Sequence, residues 1–160
     1  MTTLVFVHVV ISLVGIVSGL VVAFGMLAAN RLDRWTALFL ASTVATSLSG
    51  FPLPADRFLP SHAVGIVSLL VLPVAIFARY GRHLAGIWRG TYVVTAMIAL
   101  YLNVFVLVVQ LFLKVPALKA LAPTQSEPPF ALAQGVVLLV FIALTVAAAM
   151  RFRDERFRSA

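Results

Sequence analysis

The chain contains no cysteine, which excludes disulfides, thiolate metal sites and Cys-based redox relays and leaves the redox compartment open. Charge is nearly as scarce. Twelve basic and five acidic residues make up 11% of 160 positions, against about 25% in an ordinary soluble domain. So few charges cannot cover the surface of a soluble domain of this length, and a soluble globular enzyme is excluded. Disorder is excluded as well, because it requires low hydrophobicity and high charge, whereas 62% of this chain is hydrophobic. The reading that survives is an integral membrane protein, organised as one transmembrane domain over residues 1–160.

What is present is a series of long apolar runs. A helical span needs about 17–25 apolar residues, and five candidates occur: Thr3 to Ala29, Trp35 to Phe51, His62 to Ala78, Gly90 to Leu113 and Phe130 to Met150. The second and third are short, so a re-entrant hairpin is the alternative for that pair. The runs do not alternate apolar and polar residues, which argues against a membrane barrel. Lipid cannot satisfy an open sheet edge, so helices are expected. The expected fold is therefore all-α: a polytopic bundle of five transmembrane helices. The first run lacks a basic leader and exceeds the usual signal-peptide core, so it is expected to be a span, not a cleaved signal. No internal repeat is evident, and an odd span count argues against an inverted-repeat transporter.

The net charge of +7 raises nucleic acid as a partner, but the placement of the charges argues against it. Arg31, Arg34, Arg79, Arg82, Arg89, Arg151, Arg153, Arg156 and Arg158 fall on one side of the expected bundle. Arg57, Lys114 and Lys119 fall on the other. By the positive-inside rule the N-terminus lies outside and the C-terminus in the cytoplasm. Trp35, Tyr80, Trp88 and Tyr92 lie at the same boundary as the arginines, where amphipathic rings prefer to sit. Arg79, Arg82, Arg89, Arg151 and Arg153 are accordingly expected to contact anionic lipid headgroups. The bilayer is the expected partner, with a membrane-protein partner or a second copy of the chain as further possibilities.

Three prolines (Pro52, Pro54, Pro60) stiffen the first outer connection, and Ser61 is a candidate cap for the third helix. In the second outer connection, Val115 to Ala122 is expected to form a short interfacial helix. Thr124 to Pro129 follows as a stiff polar segment, a simple loop or a lid over the outer end. Pro73 interrupts the third span and frees a carbonyl near Leu69.

No Asp, Glu, Lys or Arg falls in the core of any expected span. That counts against a carboxylate-driven pump or a carrier of charged substrates. Uncharged polar groups do occur there. His8, Ser47, Ser49, His62, Gln110 and Gln134 all map to one layer in the outer third of the membrane. They define a candidate ligand pocket together with Ser12, Asn103 and Glu127. Interhelical hydrogen bonding explains the same residues more plainly. Asn103, near the midplane, is expected to bond a hydroxyl of the second span, because an unpaired amide there is costly. Gly15 and Gly19 form a GxxxG pattern suited to close helix packing, within the chain or in a homodimer.

No nucleophile elbow, phosphate loop or HExxH motif occurs, so the chain reads as non-enzymatic. No cofactor is expected. The alternative is a single haem b, or a quinone-associated redox protein, built on His8 and His62; a metal site lacks a third strong ligand.

The segments Gly50-Phe51-Pro52 and Pro60-Ser61-His62-Ala63-Val64-Gly65-Ile66, and above all the stretch from Lys114 to Phe130, resemble those of small bacterial inner-membrane proteins with no assigned activity. The resemblance covers residues 50–135. It implies only a bacterial origin, which makes the inner membrane the expected location of the multi-pass chain, and carries no functional residue. The function expected is binding or passage of a small molecule at an outer-facing polar pocket, or service as an accessory subunit of a membrane complex.

Overall fold

The computed structural model describes residues 3–52 and 60–152. Six α-helices follow one another: α1 (Thr3–Leu27), α2 (Asp33–Ser49), α3 (Pro60–Ile76), α4 (Ile87–Lys114), α5 (Pro116–Leu121) and α6 (Pro128–Arg151). A π-helical turn, Phe77–Gly81, prolongs α3. No strand occurs among the described residues.

Among the described residues, four stretches are long and apolar enough to cross a membrane: Thr3–Leu27, Ser61–Gly81, Ile87–Lys114 and Pro128–Arg151. The second of the five expected spans is a helix too, but a different kind. It is 17 residues long, opens on Asp33 and Arg34, and is rich in serine and threonine. Its hydroxyls turn back on its own backbone: Ser42 Oγ donates to the Leu38 carbonyl and Ser47 Oγ to that of Thr43. Such back-bonding satisfies these two hydroxyls within a polar helix that sits among apolar ones.

Several boundaries shift for identifiable reasons. The third span does not stop at Ala78, because the π-turn carries it on to Gly81. Ser61 does not cap α3, since the helix already begins at Pro60. Proline is well suited to a first helical turn, having no N–H to leave unbonded. The same logic starts α5 at Pro116 and α6 at Pro128. The short helix expected over Val115 to Ala122 is α5.

The helices run up and down. α1 packs against α2 and α4, α3 against α2 and α4, and α6 against α4 and α1. α4 contributes more to the core than any other helix, burying Tyr92, Val93, Ala96, Met97, Ala99 and Leu100. Opposite them lie Val22 and Met26 of α1, Phe39 of α2 and Leu72 of α3. Gly19 permits a close approach of α1 to α2 and α4: a Cβ there would stand 2.5 Å from Leu100 Cδ1 and 2.8 Å from the Phe39 ring. The GxxxG pair thus faces α2 and α4 of the same chain and is buried. The outer surface is apolar, with Phe6, Phe24, Leu70, Leu132 and Leu139 exposed. Apolar exposure on this scale marks a surface that meets something other than water.

The up-and-down course sorts the polar side chains to two ends. One carries His8, Ser49 and His62, and is called the histidine end below. The other carries Arg31, Asp33, Arg79, Arg82, Arg89 and Arg151, and is called the arginine end.

Candidate functional site

The last turn of α2 is the hub of the histidine end. His8 of α1 meets it on one side, Nδ1 lying 2.8 Å from Ser49 Oγ. The His8 ring also lies against Gly50, where a Cβ would come 3.5 Å from Cε1. On the other side, Phe51 stacks on the His62 ring, their centroids 6.0 Å apart and planes 13° off parallel. Gly65 of α3 leaves room for that arrangement; a Cβ there would lie 3.5 Å from Phe51 and 3.7 Å from the Ser47 carbonyl oxygen. Four residues expected to share a layer, His8, Ser47, Ser49 and His62, are therefore gathered around one helix terminus. The Thr46 hydroxyl of the same turn is buried without a hydrogen-bond partner. Ser12 belongs to the same face of α1, but its hydroxyl is occupied by the His8 carbonyl at 2.7 Å.

Asn103 sits deeper and apart. Its Nδ2 donates to Thr43 Oγ1 at 3.2 Å, the bond to a second-segment hydroxyl that the sequence leads one to expect. Gly15 makes room for the pair: a Cβ there would lie 3.3–3.5 Å from Ser42 Oγ, Thr43 Oγ1 and Asn103 Nδ2. This triple contact joins α1, α2 and α4 at mid-height.

The remaining candidates line the α4–α6 side. Gln134 Nε2 donates to the Phe105 carbonyl at 3.2 Å, while its Oε1 is buried and unpaired. Gln110 is half-buried on α4. Gln125, at a positive φ of 59°, reaches back and donates to the Val109 carbonyl at 2.8 Å. That bond pins the α5–α6 connection onto α4. Glu127 organises the connection from within, accepting from Thr124 Oγ1 at 2.8 Å and from the Thr124 and Ser126 amides at 3.2 and 3.1 Å. Desolvation is the largest single influence and pushes its carboxyl up, but the hydrogen bonds from Thr124 and Ser126 together outweigh it. Its pKa lies below the usual carboxylate value. The expected single layer is thus two groups, one around α2 and one between α4 and α6, and no hydrogen bond among the described residues joins them.

The arginine end holds what the sequence did not suggest. The sequence places Arg79 among the headgroup-facing arginines, yet it is only 3% exposed. The π-turn widens the helix there, so that Ala78 and Arg79 both face inward. The guanidinium pairs with the Asp33 carboxylate, donates to the Arg31 carbonyl at 2.9 Å, and stands 5.2 Å from the Tyr92 ring centroid. The Tyr92 hydroxyl lies beside Thr36 and Arg79 without a well-formed hydrogen bond to either. Arg89 likewise turns to the protein, donating to the Phe152 carbonyl at the end of α6. Of the expected lipid-facing set, Arg82 and Arg151 are exposed. Arg153 lies outside the described residues. The only hint of the buried pair was Asp33, the one acidic residue in a basic connection.

Two open grooves lie elsewhere. One, of about 490 Å3, runs between α2 and α3, with Val44, Leu69, Leu72, Pro73, Phe77 and Tyr80 among its walls. The other, of about 570 Å3, lies on α6 around Leu132, Gly135 and Val136. No group of three or more His, Cys, Asp or Glu capable of holding a metal ion occurs among the described residues.

No protein-family model, curated protein or solved structure matches the chain.

Proposed function

We propose that the protein is a non-enzymatic, multi-pass protein of a bacterial inner membrane that binds a small neutral molecule at the histidine end. In this reading α2 is the fifth crossing helix, the histidine end faces the periplasm and the arginine end the cytoplasm. Segregation of the arginines to one end supports the orientation. The packing of α2 between α1 and α3 supports its crossing.

The observation that carries the binding proposal is the last turn of α2. A helix C-terminus leaves carbonyl groups without intrahelical donors. Here they lie beside the His8 imidazole, the Ser49 hydroxyl and the unpartnered Thr46 hydroxyl, with the stacked Phe51 and His62 rings on the other side. A small molecule carrying hydrogen-bond donors and an apolar body suits that combination. An uncharged ligand fits a site with no carboxylate or ammonium group among its described residues.

The test is purification in mild detergent, with mass spectrometry of the small molecules that accompany the protein. A ligand retained by the wild type and lost in His8→Ala and Ser49→Ala, both still folded, is the expected result. Equal retention by the variants overturns the site. The visible spectrum of the same sample decides the haem alternative. In its favour, the His8–Ser49 bond resembles the outer bond that orients ligating imidazoles. A Soret band lost in His8→Ala and His62→Ala would replace the neutral-molecule reading, and a colourless folded protein removes haem.

A further inference from the structure

We infer that the α2–α3 groove is a binding site for one acyl chain of an anionic phospholipid, its phosphate held by Arg82 at the arginine end. The groove is about 490 Å3 in volume and open to the outside. Its walls are apolar apart from the Tyr80 hydroxyl. Pro73 helps to form it: a proline inside α3 contributes no N–H, and its ring and the exposed Phe77 leave a channel beside Val44 and Leu69.

Its length matches one leaflet. From Leu69 to Tyr80 is eleven residues, roughly 16 Å at about 1.5 Å per residue. Half of a hydrocarbon core about 30 Å thick is about 15 Å. The groove therefore runs from the bilayer midplane to the boundary on the basic side, the path of a single acyl chain, and ends where a headgroup lies.

What stands at that end selects the headgroup's sign. Tyr80 and Gly81 close the groove, and Arg82 follows directly. Its guanidinium lies 5.5 Å from the Trp88 ring centroid, and Trp88 meets Phe77 of the groove wall edge-on at 5.2 Å. The groove and the charge are thus joined by a continuous aromatic contact. Arg79 plays another part. Buried and paired with Asp33, it anchors the π-turn that presents Tyr80 and Arg82 outward. The charged residues described at this end are Arg31, Asp33, Arg34, Arg79, Arg82, Arg89 and Arg151. The one carboxylate among these described residues, Asp33, is already engaged by Arg79, so the local field favours phosphate.

The inference is independent of the small-molecule site at the opposite end, and its test does not involve His8 or Ser49. Detergent-purified protein is titrated with phosphatidylglycerol or with phosphatidylcholine of the same chain length, and bound lipids are counted by native mass spectrometry. One phosphatidylglycerol should bind per chain at least tenfold more tightly than phosphatidylcholine. Arg82→Glu should abolish that preference, Leu69→Trp should fill the groove and weaken both lipids, and Arg151→Glu should leave the preference intact. A second measurement leaves the groove unaltered. In a Trp35→Phe background, phosphatidylglycerol brominated near the headgroup should quench Trp88 fluorescence more than the phosphatidylcholine equivalent does. Equal binding of both lipids by the wild type, an unchanged preference in Arg82→Glu, or equal quenching would each overturn the inference.

Discussion

Replacing Gly19 by alanine tests the close contact of α1 with α2 and α4. Two opposing effects are in play. Alanine favours a helix interior over glycine by about 1 kcal/mol. Against this, the new Cβ would overlap Leu100 Cδ1 at 2.5 Å and the Phe39 ring at 2.8 Å, and overpacking a filled core costs about 1–3 kcal/mol. Leu100 and Phe39 are each 1% exposed, so neither can swing outward, and the cost belongs in the upper part of that range. Gly135 on α6 supplies the control, because nothing lies within 4 Å of a Cβ added there. Both substitutions share the helix-propensity gain, so the difference between them isolates the clash. Gly19→Ala should be about 2–3 kcal/mol less stable than Gly135→Ala, with Gly15→Ala between them, its contacts lying at 3.3–3.5 Å. Unfolding in mixed micelles of mild detergent and dodecyl sulfate, followed by tryptophan fluorescence, measures all three. If Gly19→Ala falls within about 0.5 kcal/mol of Gly135→Ala, the α1–α2–α4 contact is not as close as described and the reasoning fails.

Further outcomes are expected. Thr43→Val should destabilise by about 0.6–2 kcal/mol, the usual worth of an interhelical polar contact in membranes; adding Asn103→Leu should recover part of the loss, as a double-mutant cycle would register. Arg79→Ala should cost more stability than Asp33→Asn, because the arginine is buried and also holds the Arg31 carbonyl, while the Asp33 side chain is 78% exposed and its half of the pair is screened by solvent. The Glu127 carboxyl titrates below its ordinary value of 4.5, so its contribution to the 124–127 loop is complete above that value and is lost as pH falls through the lower folded value. Limited proteolysis of this loop should accelerate on acidification in the wild type, and Glu127→Gln should remove that pH dependence. Reporter fusions after Arg34, Lys119 and Arg151 should read cytoplasm, periplasm and cytoplasm; a periplasmic signal at Arg151 would reverse the proposed orientation.

The apolar stretches and the two ends were legible along the chain because both follow from additive, local costs. Each charge in hydrocarbon is expensive wherever the neighbouring helices lie, so scarce charge sorted to the segment ends is enough to mark where helices begin and stop. The same reasoning reached the Asn103–Thr43 bond, since a mid-helix amide must find a partner and α2 offers hydroxyls at the right height. Depth, however, is only one coordinate. Residues at one height share a layer, but which of them meet depends on helix rotation and on which helices are neighbours. That is why His8 finds Ser49 while Gln134 turns to Phe105 on another helix pair. Arg79 carries the point furthest. Its position at the end of an apolar run reads as a headgroup contact, and only a widened turn beside Asp33, 46 residues away, brings it inside. Linear pattern records the cost of leaving water; the partner that offsets this cost is chosen by packing between segments distant in the chain.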